Sequence, residues 1–250
     1  MNYPFICKPD IGERGWMVKI IHNPEELREY CATIHSDFLV QELIKERLEF
    51  GVFYVHHPQE PIGKVTSIVS KEMLNVVGDG IKTLEMLIKE NSRAKLQWKK
   101  LKISYKHRLG EVIPKGEKLE LVSIGNHCLG TKFLNNNHLI SPKLSNLFAG
   151  IASQIEGFYF GRFDLRAETI EDLENGIFKV MELNGCGSEP GHIYQPGASI
   201  FSGWAVLLNH WHNIYKISLW NHQNGVKYVS LREGLFYLKK FKKATAKISI

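Results

Sequence analysis

The sequence has few cysteines, no secretory leader and no long apolar run, and each absence narrows the class of protein. The 250 residues include 4 cysteines without CxxC spacing, so a disulfide framework is not indicated and a reducing compartment is expected. The first ten residues, MNYPFICKPD, lack the charged and apolar regions of a signal peptide. The apolar stretch 200–220 is broken by polar residues and predicts a buried or amphipathic helix. We therefore expect a cytoplasmic protein without an integral membrane segment.

Several common catalytic and binding motifs are also missing. No GxSxG, HExxH or Walker A pattern occurs, so the corresponding hydrolases and P-loop enzymes are not indicated. The formal net charge is +6, and its excess lies in residues 89–108 and 239–247. These segments contain no recognisable nucleic-acid-binding module and fit solvated helix faces and a basic tail. An anionic ligand or an acidic membrane surface is the alternative, and no nucleic-acid partner is expected.

Strands and helices alternate without regular βαβ order, which predicts an α+β fold. Asn23 and Pro24 form a helix start, with the helix running to about Thr33, and a second helix should begin at Thr83. The sequence around 174–176 favours a hairpin turn, and a strand pair is expected around 114–116. The last large helix is predicted over 199–217.

The most informative segments are two short predicted strands, 161–166 and 180–185. Alternate side chains of a strand share a face, so Arg162 lies with Asp164, and Glu182 lies with Asn184. Two carboxylates and an amide oxygen suit a hard divalent cation that carries phosphate oxygens. A surface hairpin with outward polar residues fits the same alternation. The glycine-dense loop 185–191 that follows favours close approach of a substrate.

Two upstream segments suggest a nucleotide. Lys8 stands at a strand end before the glycine-flanked loop 12–15, which offers a point charge and free backbone N–H groups to phosphate. The strand end 41–44, with Glu49 after it, could read an adenine edge and ribose hydroxyls. Taken separately, the first segment could be any β-turn-β and the second an edge strand with solvated charges.

In order along the chain, five motifs resemble the ATP-grasp superfamily. They are KPDIGERG, QELI with Glu49, VVGDGIKTLEMLI, GNHCLGT, and GRFDLR with MELNG. Within that superfamily the resemblance is to carboxylate–amine ligases such as D-alanine–D-alanine ligase, glutamate ligase and cyanophycin synthetase. It spans roughly residues 3–200.

The resemblance implies roles for individual residues. The two catalytic residues are Arg162, which would stabilise the acyl-phosphate and tetrahedral oxyanion, and Lys8, which would contact nucleotide phosphates. The remaining nucleotide-binding residues would be Gly12, Glu13, Arg14, Gly15, Gln41, Glu42, Leu43, Ile44 and Glu49. The metal ligands would be Asp164, Glu182 and Asn184. Substrate contacts would come from Asn126 and Ser188.

The resemblance also implies an architecture and a reaction. We expect an ATP-grasp fold of two α+β lobes with a nucleotide cleft between them and with the family's N-terminal lobe missing. Residues 1–44 would form part of the central subdomain, and 45–250 the C-terminal subdomain with the metal and catalytic residues. The reaction would join a small-molecule carboxylate to an amine (an amino acid or peptide), using ATP and two Mg²⁺ ions, or Mn²⁺. The alternatives are a catalytically impaired ATP-binding module and a phosphotransferase, and a homodimer is an option.

Overall fold

The computed structural model describes residues 2–12, 15–122, 125 and 129–246, and the side chains of 243–246 are not part of this description. The chain divides into two compact units. One comprises residues 1–45 and 219–250, and the other comprises residues 46–218. The predicted division into 1–44 and 45–250 concerns subdomains of a family and stays a prediction.

Within the described residues, strands and helices are mixed along the chain. The strands are β1 (Phe5–Pro9), β2 (Lys19–Ile21), β3 (Phe38–Glu42), β4 (Leu48–Val55), β5 (Lys64–Glu72), β6 (Asn75–Val77), β7 (Lys118–Glu120), β8 (Lys132–Asn135), β9 (Phe160–Ala167) and β10 (Lys179–Asn184). The helices are α1 (Pro24–Thr33), α2 (Leu84–Glu90), α3 (Ser92–Leu96), α4 (Trp98–Ser104), α5 (Pro142–Ala152), α6 (Ile170–Asn175), α7 (Ile200–Gln223) and α8 (Leu231–Ala246). All described sheet pairings are antiparallel, so the predicted α+β class is confirmed. No described helix has the length and apolar character needed to cross a membrane.

The first unit contains a three-stranded sheet in the order β2-β1-β3, with α1 on one face. Phe5 and Cys7 alternate toward α1 and pack with Tyr30 and Ile21. The helix begins as predicted, because the Asn23 side chain accepts a hydrogen bond from the Glu26 N–H at 2.9 Å. Because Phe5 and Cys7 face α1, the residues that alternate with them lie on the sheet face away from α1.

The second unit is built on a five-stranded sheet in the order β10-β9-β4-β5-β8. One face is apolar along its length, and its core includes Phe50, Val52, Phe163 and Leu165 packed against α5 and α6. The opposite face is divided. Its apolar end carries Phe53, Val55 and Phe160, which pack against Ile217 of α7, and its other end carries the charged residues described below.

A smaller group of elements in the same unit has its own apolar core. Strands β6 and β7 pair with each other, and α2 to α4 pack beside them through residues such as Leu84, Ile88 and Leu101. Helix α2 begins as predicted, where the Thr83 hydroxyl accepts from the Met86 N–H. The predicted strand pair around 114–116 is wrong, because β7 pairs with β6 across the sequence and not with residues just before the turn.

The predicted hairpin turn at 174–176 is also wrong, because α6 lies between β9 and β10. The helix begins with a capping box in which the Thr169 and Asp172 side chains accept from each other's backbone N–H groups. It ends at Gly176, whose φ of +79° is the left-handed conformation that glycine tolerates. Two further differences lie near the C-terminus: α7 runs six residues past the predicted end at 217, to Gln223, and α8 follows it.

Candidate active site

The two strands singled out in the sequence are neighbours, and their register brings the polar side chains together. Strands β9 and β10 pair so that Asp164 lies opposite Glu182 and Arg162 lies opposite Asn184. Residues directly opposite each other point to the same face of a sheet. Phe163 between them is 1% exposed and packs on the other face, as the alternation predicts. The four side chains therefore share the charged end of the divided sheet face.

Arg162 holds both oxygens of Asp164. Its Nε donates to Oδ1 at 2.7 Å, and its Nη2 donates to Oδ2 at 3.1 Å. The third donor of the fork, Nη1, reaches the carbonyl of Glu189 at 3.2 Å. Asp164 is 5% exposed, so this two-point contact is largely removed from water. The arginine fixes the carboxylate and keeps its own positive charge at the site.

Lys71 was not predicted, yet it lies at the centre of the charged cluster. Its Nζ donates to Glu49 Oε1 at 2.9 Å and to Asp164 Oδ2 at 3.4 Å. Arg166 completes the row by donating from Nη2 to Glu49 Oε2 at 2.9 Å. The order of charges is thus Arg166, Glu49, Lys71, Asp164, Arg162, with each anion between two cations. We refer to these five residues as the ion row.

Burial disfavours the charged forms of Lys71 and Asp164, but the opposite charges beside them stabilise those forms by more. Burial disfavours the charged form of Lys71, while Asp164 and Glu49 favour it, and the pKa of Lys71 is raised. Burial likewise disfavours the Asp164 carboxylate, while Lys71 and Arg162 stabilise it, and the pKa of Asp164 is lowered. Both groups are therefore charged at neutral pH.

The backbone approaches the ion row closely at two glycines. A Cβ on Gly51, between Glu49 and Phe53 on β4, would stand 3.1 Å from Arg162 Cδ and 3.3 Å from Asp164 Oδ1. A Cβ on Gly125 would collide with the Glu49 carboxylate. Gly125 is the first residue of the GNHCLGT motif, so the start of this motif lies beside Glu49. Asn126 of the same motif lies outside the described residues.

The glycine-dense loop after β10 returns to the charged sheet face. Ser188 donates from Oγ to the Gly185 carbonyl at 2.7 Å, which closes the turn. Farther along the loop, His192 Nδ1 shares a hydrogen bond of 2.6 Å with Ser67 Oγ on β5. Together with the contact between Arg162 and Glu189, this hydrogen bond holds the loop against the sheet. Burial lowers the pKa of His192, so its ring is neutral at physiological pH.

The predicted nucleotide-binding residues before Glu49 belong to the first unit. Lys8 lies opposite Leu39 and Ile6 lies opposite Gln41, so Lys8 and Gln41 share the sheet face away from α1. Glu42 lies opposite Phe5, on the other face. Leu43 is half-buried and Ile44 is buried at the strand's exit.

The structure describes only part of the predicted phosphate-binding loop 12–15. Gly15 has a φ of +72°, and its carbonyl accepts from the Val18 N–H at 3.3 Å, so the chain turns there. Gly12 is exposed before the turn. Glu13 and Arg14 lie outside the described residues.

The donor atoms on β9 and β10 fit a hard cation. Asp164 and Glu182 are carboxylates, and the Asn184 amide lies 3.5 Å from Asp164 Oδ2. Within the part of the chain that the structure describes, Arg162 Nε is the one donor to Asp164 Oδ1, and a carboxylate oxygen has two acceptor sites. Among the described residues, no group of three or more His, Cys, Asp or Glu side chains forms a metal cluster. A cation here would therefore depend on the Asn184 amide oxygen as well as on the two carboxylates.

Comparison with protein-family models gave no match, and no curated protein matched. Solved structures do match the chain, and two of them are described here. A bifunctional glutathione synthetase from Pasteurella multocida matches with a TM-score of 0.43 and 15% identity, over 84% of this chain and 31% of that one. A D-alanine–D-alanine ligase from Bacillus anthracis matches with a TM-score of 0.45 and 15% identity, over 90% of this chain and 57% of that one.

The chain thus spans about a third of the first matched protein and just over half of the second. At 15% identity the similarity concerns the fold, and the reaction has to be argued from this chain's own residues.

Proposed function

We propose that this chain carries the metal-binding and acyl-activating part of an ATP-dependent carboxylate–amine ligase. The observation that supports this most directly is the pairing of Asp164 with Glu182 and of Arg162 with Asn184 on one sheet face. Oxygen ligands and an arginine are thereby concentrated where a phosphoryl group and a carboxylate could meet. The ordered motifs along the sequence support the same activity.

The proposed reaction has two steps. An oxygen of the substrate carboxylate attacks the γ-phosphorus of ATP, the bond to the bridging oxygen breaks, and ADP leaves with its electron pair. The amine nitrogen then attacks the acyl carbon, phosphate leaves, and the nitrogen loses a proton to give the amide. Phosphorylation turns one carboxylate oxygen into part of a phosphate leaving group, so that the amine can displace it from the acyl carbon.

Each residue would act on charge and position. Arg162 would stabilise the oxyanion that develops at the acyl carbon. Asp164, Glu182 and Asn184 would hold magnesium, which supplies neutralisation of phosphate charge when bound. Lys71 would keep Asp164 ionised and in place, and Ser188 would contact a substrate carboxylate.

The nucleotide contacts would come from the predicted segments 8–15 and 41–44 and from Glu49. Lys8 and the loop 12–15, including Glu13 and Arg14, would contact phosphates. The segment 41–44 would contact adenine, and Glu49 the ribose. Asn126 would lie near the second substrate. In the described structure Glu49 is paired with Lys71 and Arg166, so ribose binding would have to share its oxygens.

The test is ADP release by the full chain with ATP, magnesium and mixtures of amino acids, with amide products identified by mass spectrometry. Glu182→Gln should lower turnover by roughly 100-fold or more, as removal of one electrostatic contact to the reacting groups does. Glu182 is exposed, so the fold should be unaffected. Glu171→Gln, at an exposed position of α6, is the matched control and should retain full activity.

Two outcomes would contradict the ligase assignment, and a third would contradict the proposed metal ligands. Binding of ATP and magnesium without turnover on any mixture would favour the ATP-binding module. A phosphorylated product without an amide would favour a phosphotransferase. Full activity in both Glu182→Gln and Asp164→Asn would exclude the proposed metal ligands.

A further inference from the structure

Helix α7 is apolar on two sides, and its inner side is covered by the sheet. His210 packs against the rings of Phe53 and Phe160, with centroid distances of 5.0 and 4.8 Å. Ile217 is 6% exposed in the same cluster, with Ile214 beside it. Through this side the helix packs onto the five-stranded sheet.

The outer side of α7 carries a second row of large apolar side chains. Phe201, Trp204, Leu208, Trp211 and Tyr215 are exposed by 73%, 56%, 73%, 68% and 62%. Phe201 and Trp204 contact each other edge to face, with centroids 5.8 Å apart. We refer to these five residues as the outer seam. All five lie in the second unit.

The spacing of the outer seam is that of a helix-packing surface. Its members are separated by 3, 4, 3 and 4 residues, the a and d positions of a heptad repeat. A continuous apolar stripe on a helix normally faces another packed surface. Four aromatic side chains exposed by more than half present on the order of 500 Å² of apolar surface, comparable to the largest patch of an ordinary monomer. A partner surface is therefore expected.

The charges of α7 favour a second copy of the same helix as that partner. Residues 200–223 include no Asp or Glu, and Lys216 is their one Lys or Arg. Two copies could therefore meet with little like-charge repulsion, and homodimer interfaces are aromatic and poor in charge at their centre. An anionic membrane would require more cations than this single lysine provides.

The seam is symmetric about its central residue to within one position. Phe201 and Tyr215 each lie 7 residues from Leu208. Trp204 lies 4 residues before Leu208 and Trp211 lies 3 residues after it. An antiparallel pair of helices related by a two-fold axis at Leu208 would place Trp204 of one copy opposite position 212 of the other, next to Trp211. The exposed seam supplies most of the roughly 800 Å² per partner that a standard interface buries.

We propose that the outer seam of α7 is the surface through which two copies of this chain form a homodimer. The proposal rests on α7 alone and is independent of the ligase assignment. The dimer would be of modest affinity, because the contact is a single helix pair about 21 Å long.

The test is sedimentation velocity of the full chain from about 1 to 200 µM, a range that brackets modest affinities. The wild type should dimerise with increasing concentration. Leu208→Asp should raise the dimer dissociation constant roughly 100-fold or more, because two carboxylates would face each other at the centre. Asn209→Asp adds the same charge at the next, exposed position off the seam and should change it less than about 3-fold.

Trp211→Gln is a second, uncharged variant and should also weaken the dimer, while far-UV circular dichroism should be unchanged in all three variants. A wild type that stays monomeric throughout the range overturns the proposal. So does a dimer that neither Leu208→Asp nor Trp211→Gln weakens. A monomer that binds neutral phosphatidylcholine vesicles through α7 would identify lipid as the partner of the seam and would equally overturn it.

Discussion

Replacing Lys71 by methionine tests whether the ion row stabilises the fold. Methionine retains much of the side-chain volume and removes the charge that lies between Glu49 and Asp164. Lys71, Glu49 and Asp164 have side chains that are each 7% exposed, so water cannot replace the lost ammonium. The buried carboxylates of Glu49 and Asp164 would then each have one cationic partner in the ion row instead of two. The substitution should therefore lower the free energy of unfolding of the second unit.

The size of the expected loss in unfolding free energy depends on the ion pairs that remain after Lys71 is replaced. Removing one partner of a buried ion pair costs about 3–5 kcal/mol when the other charge is left uncompensated. Here Glu49 keeps Arg166 and Asp164 keeps Arg162, so neither carboxylate is left uncompensated and we expect a smaller cost of about 2–3 kcal/mol. The matched control is Lys132→Met. Lys132 also contacts a carboxylate, that of Glu72, at 2.9 Å, but both side chains are 39% exposed. Its loss should cost less than about 1 kcal/mol.

The assay is urea unfolding at pH 7, and hydrogen exchange of β4 and β9 is measured as a second readout. Because the pKa of Asp164 is lowered, its contribution is present above its ordinary pKa and is lost as the pH falls through the folded value. Lys71→Met makes that shift smaller, so the difference between wild type and variant should narrow below about pH 4. Equal costs for the two methionine variants, or a difference that is constant with pH, would refute the electrostatic explanation.

Two further predictions concern packing and use the same unfolding assay. Gly51→Ala should cost about 1–3 kcal/mol, because its Cβ would stand 3.0 Å from Val69 Cγ1 and 3.1 Å from Arg162 Cδ. Gly150→Ala in α5 meets nothing within 4 Å and should be neutral or stabilising. Tyr30→Phe should stabilise the first unit by about 1 kcal/mol, because among the described residues its buried hydroxyl has no hydrogen-bond partner. Burial also raises its pKa to about 12. Tyr105→Phe loses the bond to the Glu120 carbonyl and should destabilise, and similar effects of both tyrosine changes would contradict this account.

Local patterns in the sequence were sufficient for several features of the fold. The alternation around Phe163 identified which side chains face the core, and Asn23 and Thr83 marked two helix starts, because strand periodicity and capping depend on neighbours a few residues away. The ATP-grasp resemblance rests on the five ordered motifs of the sequence. The roles assigned to individual site residues remain predictions.

The ion row was missed because it depends on how distant strands are aligned. Glu49 on β4 meets Lys71 on β5 and Arg166 on β9 only through the registers of both pairings. Alternation predicts the face on which Arg166 lies, next to Asp164, but not the residue that it contacts. The hairpin predicted at 174–176 failed for a local reason, because the Thr169 and Asp172 pattern is a helix-capping signal that outweighed the turn signal at Gly176.

Arg162 contacts two parts of the site at once. One guanidinium fixes the Asp164 carboxylate on β9 and also holds the backbone carbonyl of Glu189 in the loop after β10. Any substitution of Arg162 therefore changes the carboxylate and the loop together, so an activity loss there would combine two causes. His192→Asn would separate them, because it alters the loop's other attachment, to Ser67, and leaves the charges on β9 intact.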